Sequence, residues 1–383
     1  WRVKVGIVVP FSWSFPGGVV DHAESQAQAL RRLGVEARLV MGNDPPGTFT
    51  RFLHPRLGRH GDPPPEVISI GRSVIVPANG SLPNIVLTPA MPVRLRRVLD
   101  RERFDLLHLH EPMTPAVCVT ALILAECPIV ATWHAAGALN WHWLGRPLWG
   151  FLIDRIDYRI AVSEQARESA RRWFPGEYEV IPNGVDIPPA ADPGQRDNRV
   201  VFIGRHEPRK GLPVLLQAWP TVRRRTGARL RVIGADPLAV RLLMTRLRVP
   251  EDGIDVLGWV PDGQLAAELG RAKALVAPSV GMESFGMVLT RAFASATPVV
   301  ASDIPGYRAV VAEDTGILVP PGDPAALAEG VASLLEDEGR RRAMGRAAWE
   351  LARARYSWDD VGRRLLEVYE LVLRRASGAG KGR

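Results

Sequence analysis

Short runs rich in Val, Ile and Leu alternate along the chain with stretches whose apolar positions recur every three to four residues. The runs predict strands at 3–9, 37–41, 105–109, 129–132, 159–162 and 179–181, and the helical spacing predicts helices near 20–33, 91–101, 113–125 and 164–173. Apolar runs separated by amphipathic helices belong to a parallel sheet covered on both faces. The Gly-, Pro- and Arg-rich segment 43–65 falls outside this pattern and reads as an excursion from the sheet. A turn-forming stretch, PNGVDIPPAADPGQRDN at 182–198, then interrupts the alternation and reads as an interdomain linker.

Beyond it the pattern resumes, with strands at 200–203, 230–233, 254–257, 274–277, 298–301 and 316–319 and helices near 211–225, 237–247, 262–270, 285–295 and 323–335. The expectation is an α/β fold of two facing Rossmann-like, doubly wound domains. Ligands of such sheets bind at the carboxyl ends of the strands, which puts the active site in the interdomain cleft. The boundaries are 1–182 for the first domain, 183–198 for the linker and 199–355 for the second domain. A C-terminal helix follows at 356–375, with packing back on the first domain as one option, and then a tail at 376–383.

Composition narrows this picture. With 383 residues, 46% of them hydrophobic, the chain has material for a sizeable core in each domain and is not a disordered one. Its 49 basic residues against 41 acidic ones give +8, which admits a phosphorylated substrate, an anionic membrane or nucleic acid as partner. Lysine occurs only at 4, 210, 273 and 381, so 49 minus 4 leaves 45 arginines; arginine clusters carry little information here, and a lysine inside a loop carries more. Cys118 and Cys127 sit in an apolar stretch without metal-ligand spacing and read as small buried hydrophobes of a reducing cytosol. The longest apolar stretch, 115–133, is broken by Glu126 and Pro128 into a helix and a strand, which argues against a membrane span. No signal peptide is read at the N-terminus, although an upstream segment before Trp1 stays open.

Three segments carry candidate chemistry. The first strand ends in FSWSFPGGVVDH, with Gly17 and Gly18 just ahead of a helix. Paired glycines let the backbone approach a ligand and the helix start favours an anion, though a tight turn would use the same residues. The second domain opens on VVFIG and the loop RHEPRKG, which places Arg205, Arg209 and Lys210 between a strand end and a helix start, a setting suited to a pyrophosphate. Further on, PSVGMESFGMVLTRAFASATPVVASDIPG puts Glu283 at the mouth of a helix beside the amides of Phe285, Gly286 and Met287. A carboxylate and free amides together suit the vicinal hydroxyls of a sugar; a carboxylate there also complements the helix dipole.

PGGV after the first strand, HLHEP at 108–112, IPNGVD at 181–186, GRHEPRKG at 204–211, ESFGMVL at 283–289 and PGY at 305–307 together resemble the retaining nucleotide-sugar glycosyltransferases of family four, which have the two-domain GT-B fold. The likeness covers essentially the whole chain. Within that family the chain is similar to the phosphatidylinositol mannosyltransferases, which share the FSW/YSF-PGGV segment, an NGS segment, HLHEP and the ATWH or ATFH strand end. The resemblance implies that Arg205 and Lys210 grip the donor diphosphate and that Glu283, with the amides of 285–287, contacts the donor sugar. It further implies that Gly18 approaches the diphosphate and that His134 lies near the reacting sugar carbon. Gly17, Asn79 and Ser81 fall on the acceptor side. Val260 and Asp262, in LGWVPD, match positions that contact guanine; a carboxylate accepts from two donors of guanine and from one of uracil, so GDP is expected over UDP. Family members are thought to work by front-side attack, with catalysis resting on stabilisation of the departing diphosphate. No Asp-x-Asp pair stands at a strand end, so Mg2+ is not implied and no cofactor is required.

The chain departs from the family at several positions. Where a second Glu binds the ribose eight residues after the first, this sequence has Arg291, which donates only and is left for a further phosphate contact or a degenerate donor site. On the acceptor side the stretch after Ser81 is PNIVL rather than arginine-rich. Phe11, Ser14 and Val20 replace Tyr, Asp and Gln, and Ala135, Ala136 and Leu139 follow His134. Membrane contact has its own signal: Arg94, Arg96, Arg97, Arg101 and Arg103 crowd one helix with Leu95, Val98 and Leu99 interleaved, and Trp141, Trp143 and Trp149 supply aromatic anchors nearby. A solvated face and packed aromatics would show the same composition.

The expected activity is transfer of a hexose, mannose from GDP-mannose, to a lipid-linked acceptor of the phosphatidylinositol or polyprenyl type, in the cytoplasm or at the inner face of the plasma membrane. Transfer from a UDP- or ADP-sugar to a soluble or other lipid acceptor is the alternative within the fold, and a nucleotide-sugar sensor the alternative outside enzymes. An epimerase would need acid and base carboxylates that the sequence does not offer. Nucleic acid is not an expected partner, because the basic residues are spread along the chain and no recognition motif occurs.

Overall fold

The computed structural model describes residues 3–15, 17–47, 50, 62–76, 84–134, 146–188, 196–281 and 283–379. Asn79, Ser81, Trp141 and Trp143 lie outside the described residues. The chain divides into two compact units, Trp1–Gly184 with Trp358–Arg383, and Val185–Ser357. The last helix, Trp358–Ala379, thus belongs to the first unit and continues beyond residue 375, where a tail was expected.

In the first unit the described strands are β1 (Lys4–Ser12), β2 (Glu36–Gly42), β3 (Val67–Ser69), β4 (Ser73–Ile75), β5 (Asn84–Val86), β6 (Leu106–His110), β7 (Ile129–Trp133), β8 (Tyr158–Ala161) and β9 (Glu179–Val180). Seven of them form a parallel path in the order β3-β2-β1-β6-β7-β8-β9, while β4 and β5 make an antiparallel pair that reaches β1 through Phe11 and Ile85. The order reverses between β1 and β6. That is the switch point at which doubly wound sheets open a crevice for ligand. β3, β4 and β5 were not anticipated: each is three residues long, too short to show a period against its Gly- and Pro-rich surroundings.

The helix Gly18–Arg32 covers one face of this sheet with Val20, Ala23, Ala27 and Leu30, residues three and four apart on one stripe. The C-terminal helix lies on it, contributing Val361, Leu365, Val368, Tyr369, Val372 and Leu373 to the same core. Burying each large aliphatic side chain contributes about 1.5–3 kcal/mol, enough for a helix arriving from the far end of the chain to complete the unit.

The second unit holds β10 (Asp197–Ile203), β11 (Arg229–Ile233), β12 (Ile254–Gly258), β13 (Ala272–Ala277), β14 (Val299–Ser302) and β15 (Gly316–Val319). All five pairings are parallel, in the order β12-β11-β10-β13-β14-β15, with the switch point between β10 and β13. β10 begins at Asp197, inside the stretch read as linker. The helix Glu338–Arg355, which the hydrophobic pattern did not show, is rich in Arg and Ala and buries only a narrow stripe at Met344, Gly345, Ala348 and Ala352 besides Arg341. Among the described residues no helix is long and apolar enough to cross a membrane.

Candidate active site

In the second unit the switch point gathers the residues of two loops. The loop after β10 passes through Arg205 and Glu207 into a short 3-10 turn, Pro208–Lys210, and the helix Leu212–Thr226 starts immediately behind it. The loop after β13 carries Ser279, Val280 and Glu283. The amide of Val280 donates to the carbonyl of Arg209 at 2.9 Å, which ties the two loops together. Across this junction Lys210 Nζ donates to Glu283 Oε1 at 2.6 Å, and Arg209 Nη1 donates to the same oxygen. Glu283 is buried, and a buried carboxylate left without a cation would be costly, so the two cations offset the cost of enclosing it at the strand ends.

Gly211 makes this arrangement possible. Its φ is +70°, and a Cβ there would lie 1.8 Å from the carbonyl oxygen of Pro278. The loop after β10 can therefore press against the loop after β13 only where there is no side chain. Gly286 does the same for the second loop: φ is +75°, it caps the helix Met287–Ala294, and a Cβ would meet the Tyr307 ring at 2.7 Å. Tyr307, from the PGY segment, is fully enclosed and shares a 2.7 Å hydrogen bond with Ser279. Burial, and after it the charge of Glu283, pushes its hydroxyl well above the usual range, so it stays protonated. Phe285 anchors the turn by packing edge-on against Tyr356, with ring centroids 5.7 Å apart.

Arg205 is placed differently from Lys210. Its side chain is 57% exposed and pairs with Glu207 at 2.8 Å, whereas Lys210 is 19% exposed and faces Glu283. Arg209, which also pairs with Glu207 at 2.8 Å, occupies the inner position. Sequence spacing alone could not tell which of three basic residues in one loop turns inward. Arg291 lies half-buried in the last turn of the helix Met287–Ala294. Val260 is buried just before the helix Asp262–Arg271, and the Asp262 side chain lies outside the described atoms.

In the first unit Gly17 caps the helix Gly18–Arg32 in an extended conformation, and a Cβ at Gly17 would meet nothing within 4 Å among the described residues. Gly18 is exposed at the first turn of that helix. Ser14 is committed to the fold: its hydroxyl donates to Asn43 Oδ1 at 2.9 Å and accepts from the amide of Asp44 at 2.8 Å.

His134 follows β7 and, among the described residues, belongs to a cluster of four buried histidines against one face of the sheet. His108 and His110 alternate along β6, so both point the same way, and Thr132 and His134 do the same on the neighbouring chain segment. His22 and Gln26, one turn apart, reach the cluster from the helix above. His108 bonds Tyr369 at 2.6 Å and Thr132 at 2.7 Å; Gln26 donates to Tyr369 at 3.0 Å. His110 Nδ1 and His134 Nε2 are 2.8 Å apart. Burial holds all four rings neutral, taking His22 down to about 4 and His108 to about 3, with His110 and His134 well below the ordinary value and lowered further by neighbouring imidazoles. Glu111 closes the HLHEP segment by accepting from the amide of His134 at 2.9 Å, which locks the ends of β6 and β7 together. The sequence singled out His134 alone; the His-x-His alternation in a strand was the signal that could have found its neighbours.

The surface helix Met91–Glu102 exposes Arg94, Arg96 and Arg97, but Leu95 and Val98 point into the core with Met91 and are not available to a bilayer. Arg96 is paired with Asp100 at 3.0 Å and Glu126 at 3.1 Å. Trp149, expected as an interfacial anchor, is buried.

Residues 16–188 match the family model described as Glycosyltransferase Family 4, and residues 197–337 match that of Glycosyl transferases group 1. The phosphatidyl-myo-inositol mannosyltransferase of Mycobacterium leprae is 35% identical over 392 residues, covering 97% of each chain. The protein of that name from Mycolicibacterium smegmatis is 35% identical over 397 residues, covering 99% of this chain and 95% of its own. The chain belongs to the family 4 glycosyltransferases. Solved structures agree on the GT-B fold of this glycosyltransferase: a sucrose-phosphate synthase from Thermosynechococcus elongatus superposes with a TM-score of 0.74 at 19% identity, over 98% of this chain and 100% of that one. A glycosyltransferase from Rickettsia africae does so with a TM-score of 0.71 at 17% identity, over 97% and 99%. The glycosyltransferase motifs GRHEPRKG and ESFGMVL are the segments whose side chains meet at the β10/β13 switch point.

Proposed function

We propose that this glycosyltransferase moves mannose from GDP-mannose to a phosphatidylinositol-type acceptor with retention of configuration. The observation that carries the reading is the cluster of Lys210, Arg209 and Glu283 at the β10/β13 switch point. There Lys210, Arg205 and Arg209 supply cations for the donor diphosphate, Glu283 and the amides of Phe285, Gly286 and Met287 take the sugar hydroxyls, and Arg291 adds a phosphate contact. The likeness to relatives named phosphatidyl-myo-inositol mannosyltransferase supports the sugar and the acceptor class.

In the reaction the bond between the sugar C1 and the phosphate oxygen breaks, with the electron pair leaving on GDP. The acceptor hydroxyl attacks from the same face and passes its proton to the departing phosphate oxygen. The chain's contribution is electrostatic: cations already fixed by a buried carboxylate meet the charge that develops on the leaving group. In the first unit Gly18 approaches the diphosphate, His134 contacts the donor sugar, and Gly17, Asn79 and Ser81 serve the acceptor. Neither a metal ion nor a cofactor enters this scheme.

Val260 and Asp262 are proposed to read guanine. Calorimetry with GDP and UDP is expected to show GDP binding at least about tenfold tighter, the value of one good charge-assisted hydrogen bond; tighter UDP binding would replace the donor with a UDP-sugar. The exposed Arg94 and Arg97 are proposed to meet anionic headgroups by charge, since Met91, Leu95 and Val98 of that helix face inward. Changing Arg94, Arg96 and Arg97 to Ser is expected to abolish flotation with anionic vesicles, while unchanged flotation would remove this helix from the contact.

A further inference from the structure

The pair His110 and His134 carries information about a proton. A neutral imidazole has one N–H, and both rings are neutral, so the 2.8 Å contact between His110 Nδ1 and His134 Nε2 has one donor and one acceptor. The other nitrogen of His110, Nε2, is enclosed and has no hydrogen-bond partner among the described residues. If the His110 proton sat on Nε2, the chain would bury an unpaired N–H; on Nδ1 it leaves only a bare ring nitrogen. Enclosed unpaired N–H groups are the rarer and costlier of the two. We infer that His110 donates its Nδ1–H to His134 Nε2 and thereby fixes His134 as the Nδ1–H tautomer, which makes His110 a positioning residue and His134 a hydrogen-bond donor rather than a base.

The surroundings hold this arrangement in place. His110 stacks on His108 at a centroid distance of 4.8 Å and an interplanar angle of 7°, and His108 is itself pinned by Tyr369 and Thr132. On the other side, the amide of His134 is clamped by Glu111. With Nε2 engaged, Nδ1–H is the polar ring atom His134 has left for a ligand. His22, His110 and His134 also bring one ligand atom each within 4.8 Å of one another, which raises a metal ion as the other occupant. Two nitrogens bound to one tetrahedral zinc at about 2.0–2.1 Å would stand roughly 3.3 Å apart, whereas the observed 2.8 Å is a hydrogen-bond length.

The consequence for transfer rests on the proposed role of His134 at the donor sugar; the tautomer does not. Long-range proton–nitrogen NMR on the protein labelled with nitrogen-15 histidine is expected to show a protonated Nδ1 and a bare Nε2 for His134. His110→Phe is expected to remove this fixed state and to lower kcat about tenfold with little change in KM. His110→Asn, whose amide nitrogen occupies the place of Nδ1, is expected to restore both. A protonated Nε2 on His134 in the parent protein would overturn the inference, and that spectrum decides the matter even if His110→Phe does not fold. A tetrahedral ligand-field band on adding Co2+, lost in His22→Ala, would overturn it in favour of a metal site. If the tautomer is as inferred but all three proteins turn over alike, the tautomer stands and the role of His134 in transfer falls.

Discussion

Replacing Lys210 with methionine is expected to lower turnover of GDP-mannose about 10²–10³-fold, the usual cost of removing one preorganised group that meets charge developing in the transition state. Methionine keeps most of the stem volume while removing the ammonium that donates to Glu283 at 2.6 Å. Arg209 still pairs with Glu283, so the carboxylate is not stranded and the second unit is expected to fold. Because the lost interaction strengthens as the diphosphate departs, the fall should appear in kcat more than in KM for the donor. Steady-state kinetics with a melting temperature measured in parallel separates chemistry from folding. A variant within threefold of the parent would remove Lys210 from the leaving-group site and with it the proposed assignment of the whole β10/β13 cluster.

Gly211→Ala is the substitution expected to damage the fold most for a single added methyl. A non-glycine residue at φ +70° costs about 1–2 kcal/mol, and forcing a methyl against rigid backbone adds about 1–3 kcal/mol, so the second unit should lose roughly 2–5 kcal/mol. For a unit of this size that is a drop of about 5–20 °C in its Tm, read by calorimetry. Gly263→Ala is the control. It lies inside the helix Asp262–Arg271, and its added methyl would meet nothing within 4 Å, so the variant should be neutral or slightly stabilised. Equal melting temperatures for Gly211→Ala and the parent would mean that the two loops are not pressed together as described.

How much of this was legible in the sequence differs between the units and their sites. The long strands were visible because they are buried on both faces and so read as unbroken apolar runs, as in Val5, Ile7, Val8 and Val9. β3 to β5 were not, because three residues do not make a period. Glu283 and Lys210 were legible as motif residues, but their direct contact was not: it depends on Gly211 letting two loops about 70 residues apart in sequence touch. The inner position of Arg209 is likewise a product of tertiary packing. The basic helix Met91–Glu102 shows the opposite error, since its interleaved leucine and valine looked like a bilayer face and are in fact its core stripe, one turn apart at Met91, Leu95 and Val98. The histidine face was hidden because its members come from two strands and a helix, and a fifth participant, Tyr369, lies 261 residues from His108.

That last distance has a consequence for how the molecule is made. A ribosome releases the chain from its N-terminus, yet the core of the first unit includes Trp358 through Leu373. Its helix Gly18–Arg32 and the ring of His108 must therefore wait for residues that emerge some 260–350 positions later, with an apolar stripe and a polar cluster uncovered in the meantime. The second unit is complete once Ser357 has emerged. The unit encoded second is the one whose components are first all present, and it is inserted between the two pieces of a partner that can close only after residues 358–373 have emerged.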